Sequence, residues 1–183
     1  ELAHKHSAPN SSALQLFQAF FNSLSTHIFA CTEKQASNLG RFIHESLRMI
    51  EHWKSSEEVY REECRSLVAL AGADAMKVTY EVFVKLVYDW HMRILKHLLA
   101  LLGSTEYLEL RNALHVLTRI TPVFPKMRRF GLELEKRVNV LRDESRKDLQ
   151  IQAVQYHTML QKMRPSLETE DAFLRGFKRT PGG

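Results

Sequence analysis

The sequence predicts an all-α protein, with about seven antiparallel helices stacked as helical hairpins in a short solenoid-like bundle. Three observations lead there. Apolar residues recur every three or four positions in every long run, which is the period of a helix with one face turned inward. Alternation of apolar and polar residues, the mark of a half-buried strand, is almost absent. The strong breakers are few, seven glycines and five prolines in 183 residues, and those inside the body fall between the periodic runs. With 44% hydrophobic and 26% charged residues, the composition is that of an ordinary globular domain. A chain of this size buries roughly 70% of its unfolded surface, so one core suffices without disulfides or metal.

The first predicted helix covers 11–30. Leu14, Phe17, Phe21, Leu24 and Ile28 share one face with Leu16 and Phe20 beside them, and no Asp, Glu, Lys or Arg occurs from 6 to 32, so this helix is expected to be covered on most sides. The second begins at Thr32, which can form a capping box with Gln35, and runs to about 53 with Ala36, Leu39, Ile43, Leu47 and Ile50 inward. The third opens at Ser55, has Glu57 and Glu58 where the helix dipole favours carboxylates, and reaches about 71 before a turn at Gly72, Ala73 and Asp74. The fourth, 77–102, aligns Val82, Leu86, Trp90, Ile94, Leu98 and Leu101, and Gly103 is placed to take the left-handed cap conformation. The fifth, 105–120, buries Leu110, Leu114 and Leu117 and stops before Pro122. Pro125 suits the first turn of the sixth, which keeps Met127, Phe130, Leu134, Val138 and Leu141 inward to about 146. The seventh, 148–163, turns Ile151, Val154, Tyr156, Leu160 and Met163 inward, and Pro165 ends it. The expected organisation is a disordered edge at 1–10, a single helical domain over 11–164 and a flexible tail at 165–183.

Several function classes have no support. The most apolar stretch, 13–31, is interrupted by Gln15, Gln18, Asn22, Ser23 and others, so no transmembrane helix follows. Residues 1–10 lack the pattern of a secretory signal, and the first and last residues read as those of a piece of a longer protein. Cys31 and Cys64 make neither a disulfide framework nor a CxxC zinc pair, which suits a reducing compartment. None of the nine histidines has a His or Glu three or four residues before it, so no metal site is expected. Before Gly182 no two glycines lie closer than 28 residues, which excludes a phosphate-binding loop. No nucleophile elbow exposes Cys31 or Cys64. The reading is a non-enzyme without cofactor. Trp53 and Trp90 read as large residues locking helix against helix.

The charge is uneven. The formal net charge is +5, yet 111–147 alone holds ten Lys and Arg against four Asp and Glu. Arg128 and Arg129 followed two turns later by Lys136 and Arg137 suggest a basic strip on the outer face of the sixth helix, extended by Arg119 and Lys126. Two readings stand side by side: a solvated face with internal ion pairs, or a contact face for nucleic-acid phosphates or an acidic partner. Phe124 and Phe130 occupy apolar positions, so binding of RNA or DNA here would be sequence-tolerant and salt-sensitive. Pro122 and Pro125 within four residues predict a stiff corner over 121–126 that aims this face.

Two runs carry a resemblance. The first comprises Cys31-Thr32-Glu33, Ala36-Ser37, Gly40-Arg41-Phe42, Trp53, Tyr60 and Glu63-Cys64. The second comprises Trp90-His91, the continuous segment from Arg111 to Ile120, Pro122, Phe124-Pro125-Lys126, Gly131 and the segment from Leu134 to Val138. Over about 27–145 they resemble the C-terminal helical region of the THO complex subunit 2 family. The resemblance implies a nuclear scaffold without an active site, acting in transcription-coupled mRNA packaging and export. Its implied partners are other THO subunits and a DEAD-box RNA-dependent ATPase, with RNA contact weak or indirect. Gly40 is expected to allow close helix packing.

Overall fold

The computed structural model describes residues 13–64 and 78–175. Its helices are α1 (Ala13–Asn22), α2 (Leu24–Phe29), α3 (Glu33–Lys54), α4 (Glu57–Val59) running into a π-helical turn (Tyr60–Cys64), α5 (Tyr80–Leu102), α6 (Tyr107–Ile120), α7 (Arg128–Leu141), α8 (Lys147–Met163), a 3-10 turn (Arg164–Ser166) and α9 (Glu170–Phe173). Among the described residues there is no strand, and an isolated parallel bridge joins Met127 to Glu168. The all-α expectation holds. The edge at 1–10, the turn at Gly72-Ala73-Asp74 and residues 176–183 lie outside the described residues.

The hydrophobic periodicity explains most of the core. Leu14, Phe17, Phe21, Leu24 and Ile28 are buried from α1 and α2, and Ala36, Ile43, Leu47, Ile50 and Trp53 from α3. Thr32 forms the expected capping box: its hydroxyl accepts from the Gln35 N–H at 3.3 Å, and the Gln35 side chain accepts from the Thr32 N–H at 2.8 Å. α6 sits at the centre, packed most extensively against α3 and also against α2, α5 and α8. α8 closes the molecule by lying on both α7 and α6.

Local differences from the sequence reading have physical causes. The first helix divides at Ser23, whose hydroxyl donates to the Ala19 carbonyl at 3.0 Å and so competes with the helical ladder. Leu16 stays 60% exposed because it falls off the buried stripe. The cap of α4 is Ser56, which accepts from the Val59 N–H, while Ser55 closes α3. In α5, Val82 is 50% exposed, and Phe83 and Val87 take the inward positions. Gly103 is right-handed (φ −92°, ψ −4°), its N–H bonding back to α5 carbonyls. A Cβ there would lie 3.4 Å from the Arg137 guanidinium carbon, the movable end of a long side chain, so handedness does not require glycine at this position.

α7 begins at Arg128, not near Pro125. The Lys126 carbonyl accepts from the Glu168 N–H at 2.8 Å and the Arg128 N–H donates to the Glu168 carbonyl at 2.9 Å, which holds Met127 extended between them. The Phe124–Pro125 peptide is cis, and Pro125 is buried while Pro122 is exposed. On α8 the inward stripe is Leu149, Ala153, Tyr156 and Leu160, so Ile151 and Val154 point outward, 56% and 43% exposed. The tail expected from 165 is not free up to 175: Leu167 and Phe173 are buried, because two apolar residues within a polar segment suffice to seat it. Phe173 packs edge-on to His91 at 5.0 Å, under the Lys54 ammonium at 4.0 Å.

Candidate partner-binding face

Several of the residues that carry the resemblance meet between α3 and α6. Gly40 on α3 faces α6, where a Cβ would stand 2.7 Å from the Arg119 Cβ and 3.4 Å from the Val116 Cα, so only glycine admits this helix-to-helix approach. Arg119 lies over that gap with its Nε donating to the Ser37 hydroxyl at 3.0 Å. His115 faces Glu33 at 3.6 Å. Asn112, fully buried, donates its amide to the Ile28 and Cys31 carbonyls at 3.1 and 2.7 Å, adding to the backbone bond that Ile28 already accepts from the Cys31 N–H and satisfying the Cys31 carbonyl beyond the end of α2. Sequence reasoning missed Asn112. Its signal was an uncharged polar residue on the apolar stripe of α6, one position from Ala113.

Trp53 and Trp90 are buried in the same body, and the Trp90 indole N–H donates to Gln18 at 2.6 Å. The buried His91 bonds the Val87 carbonyl through Nδ1, and its Nε2 faces Glu51 at 3.6 Å; burial holds its pKa below the ordinary value. Cys31 is a half-exposed free thiol donating to the His27 carbonyl, with its pKa raised by desolvation. Among the described residues no group of three His, Cys, Asp or Glu side chains could hold a metal ion, and no helix is long and apolar enough to cross a membrane.

The basic residues do not form one strip. Nine positions apart, Arg128 and Arg137 sit about 180° out of phase on a helix of 3.6 residues per turn. Arg119 is drawn onto α3. Arg128 and Arg129 hold the C-terminal segment: Arg128 Nε donates to the Leu167 carbonyl at 3.1 Å, and Arg129 pairs with Glu170 at 3.1 Å and Glu133 at 3.9 Å. Lys126 is half-buried at the corner, Arg137 lies against the end of α5 at Gly103, and Lys136 is exposed.

Several depressions mark the described surface, and two of them have a mainly apolar lining. One, about 280 Å³, lies between α7, α8 and the turn that follows, lined by Arg128, Gly131, Leu132, Glu135, Arg164 and Leu167 among others. The other, about 440 Å³, lies between α1 and α3 over Phe17, Phe42, Ser46 and Met49, with Phe42 50% and Met49 38% exposed.

A family model described as transcription factor/nuclear export subunit protein 2, Tho2, matches residues 1–160. The chain belongs to the Tho2 family. It is 39% identical over 158 residues to THO complex subunit 2 of Arabidopsis thaliana, a match covering 84% of this chain and 9% of that protein. It is 32% identical over 186 residues to THO complex subunit 2 of Homo sapiens, covering 94% of this chain and 12% of that protein. To THO complex subunit 2 of Saccharomyces cerevisiae it is 27% identical over 104 residues, covering 57% of this chain and 5% of that protein. The chain thus spans between 9% and 12% of the plant and human relatives. No solved structure matches it. The α3–α6 interface is internal to the fold.

Proposed function

We propose that this chain is a non-catalytic scaffold segment of the nuclear THO assembly, acting in transcription-coupled mRNA packaging and export. Tho2 membership over residues 1–160 carries the reading, because the relatives are themselves named as a subunit of a complex. Other THO subunits are its partners, together with a DEAD-box RNA-dependent ATPase. The structure supports a docking role in two ways: α6 is braced by α2, α3, α5 and α8, and large apolar side chains such as Phe42 and Met49 remain exposed. A rigid body with apolar outer surface loses little entropy when a partner docks.

A second reading rests on the surplus of basic residues over 111–147. Here Lys126, Lys136 and Arg137, with Arg119, Arg128 and Arg129 where their internal bonds allow, bind RNA or DNA through phosphates. Affinity capture from nuclear extract followed by mass spectrometry separates the readings. Recovery of THO subunits and the DEAD-box ATPase after nuclease treatment supports the scaffold. Recovery of nothing but RNA, lost steeply as salt rises, supports the nucleic-acid module.

A further inference from the structure

We propose that the pocket between α7, α8 and the turn at 164–167 binds an acidic peptide segment of a protein partner, taking an aliphatic side chain between two arginines. The inference rests on reading the chain as a protein-binding scaffold segment and is independent of the identity of the ATPase.

The pocket is a consequence of Gly131. A Cβ there would stand 2.7 Å from the Leu167 Cδ1, so the bare backbone of α7 lets Leu167 settle against it without a shift of its side chain and line the floor. Leu160 of α8 also lines the pocket, and Leu132 stands at the mouth, 43% exposed. The volume, about 280 Å³, falls just below the roughly 300–1,000 Å³ of small-molecule sites and suits one or two aliphatic side chains.

The charge at this pocket is unspent. The main chain of Arg164 is hydrogen-bonded, but its guanidinium has no hydrogen bond or ion pair among the described residues. Arg128 commits only its Nε, to the Leu167 carbonyl, which fixes the side chain while its two terminal nitrogens remain without a partner among the described residues. Glu135, the acid in the lining, is drawn toward His157 on α8 at 3.6 Å. Two arginines beside an apolar floor match carboxylates flanking a leucine or isoleucine, each arginine able to take a carboxylate through paired N–H donors. RNA fits less well, since no aromatic ring lines the pocket for base stacking and the floor offers phosphate nothing.

The test is fluorescence anisotropy on the full 183-residue chain with a labelled peptide of sequence Asp-Glu-Leu-Leu-Glu-Asp. Two control peptides replace the leucines by serine or the acids by their amides. Saturable binding is expected, at least about tenfold weaker for both controls, with a loss of at least about fivefold in Arg164→Glu and about threefold in Leu132→Ser. Arg164→Glu disturbs no internal bond, and circular dichroism verifies that the fold is retained. Absence of saturable binding, equal binding of the leucine-free peptide, or affinity unchanged in folded Arg164→Glu overturns the pocket. If the peptide fails while THO subunits are still captured from nuclear extract, the pocket falls and the scaffold reading stands.

Discussion

Replacing Trp90 by alanine should cost about 3–5 kcal/mol, the range for deleting a large aromatic side chain from a packed core. Trp90 is fully buried on α5, with its ring 5.9 Å from Phe17 and 5.7 Å from Phe21, both on α1. Its indole N–H donates to Gln18, also on α1. One side chain thus seats α1 on α5 by area and by a directed bond, and truncation removes both. The parts can be separated. Gln18→Ala removes the hydrogen bond and keeps the ring, for about 1 kcal/mol. Trp90→Phe keeps much of the ring, loses the bond and leaves a small void, for about 1–3 kcal/mol. Against a typical total of about 5–15 kcal/mol, the alanine variant approaches the edge of stability. Urea unfolding followed by far-ultraviolet circular dichroism measures all three, provided the slope against denaturant is shared. A loss below about 1 kcal/mol for Trp90→Ala would mean that α1 does not pack on α5 in solution, and the core described above would be wrong at its largest side chain.

Asn112→Ala should destabilise by about 1–3 kcal/mol, because it removes two hydrogen bonds from a buried side chain and leaves the Cys31 carbonyl without a partner among the described residues, and thermal unfolding would show it. Phe173→Ala should cost about 3–5 kcal/mol if the segment after 165 belongs to the core; a neutral result by urea unfolding would restore the free tail. Tyr156→Phe should be neutral or stabilising by up to about 1 kcal/mol, since the buried hydroxyl has no partner among the described residues, and a clear loss by the same method would contradict that. His91 is held below its ordinary pKa by burial, with Glu51 opposing and Lys54 and Lys126 reinforcing. The unfolded chain therefore binds more protons below about pH 6.5, and stability falls as pH drops from there, by up to about 1.4 kcal/mol per pH unit for this group. His91→Leu should flatten part of that slope between pH 7 and 5; an unchanged slope would show that His91 is free to protonate in the native state.

What the sequence made legible was periodicity and punctuation. Leu14 to Ile28, Ile43 to Trp53 and Phe130 to Leu141 are buried because an apolar stripe of period three to four has one way to meet a core. The Thr32 cap was readable because both partners lie within one turn. The misplaced phase of α8 shows the limit: Ile151 and Val154 are more apolar than Ala153, yet it is Ala153 that is buried where α8 lies on α6 and α7. Long-range effects were hidden for the same reason. Nothing local in Arg128 or Arg129 reveals that Leu167 and Glu170, some forty residues on, would claim them, and so a linear run of basic residues resolved into separate tasks. The pocket beside Gly131 required Leu167 to return to α7, a contact no window of sequence contains.

The proposed scaffold role has this chain bind protein partners rather than RNA. It is tested most directly by titrating the purified 183-residue chain, side by side, with the purified THO-associated DEAD-box ATPase and with single-stranded RNA, at low and moderate salt. Saturable, stoichiometric binding of the ATPase that survives the added salt is expected, with RNA binding that is weak and lost. Tight RNA binding with no measurable complex with the ATPase would contradict it.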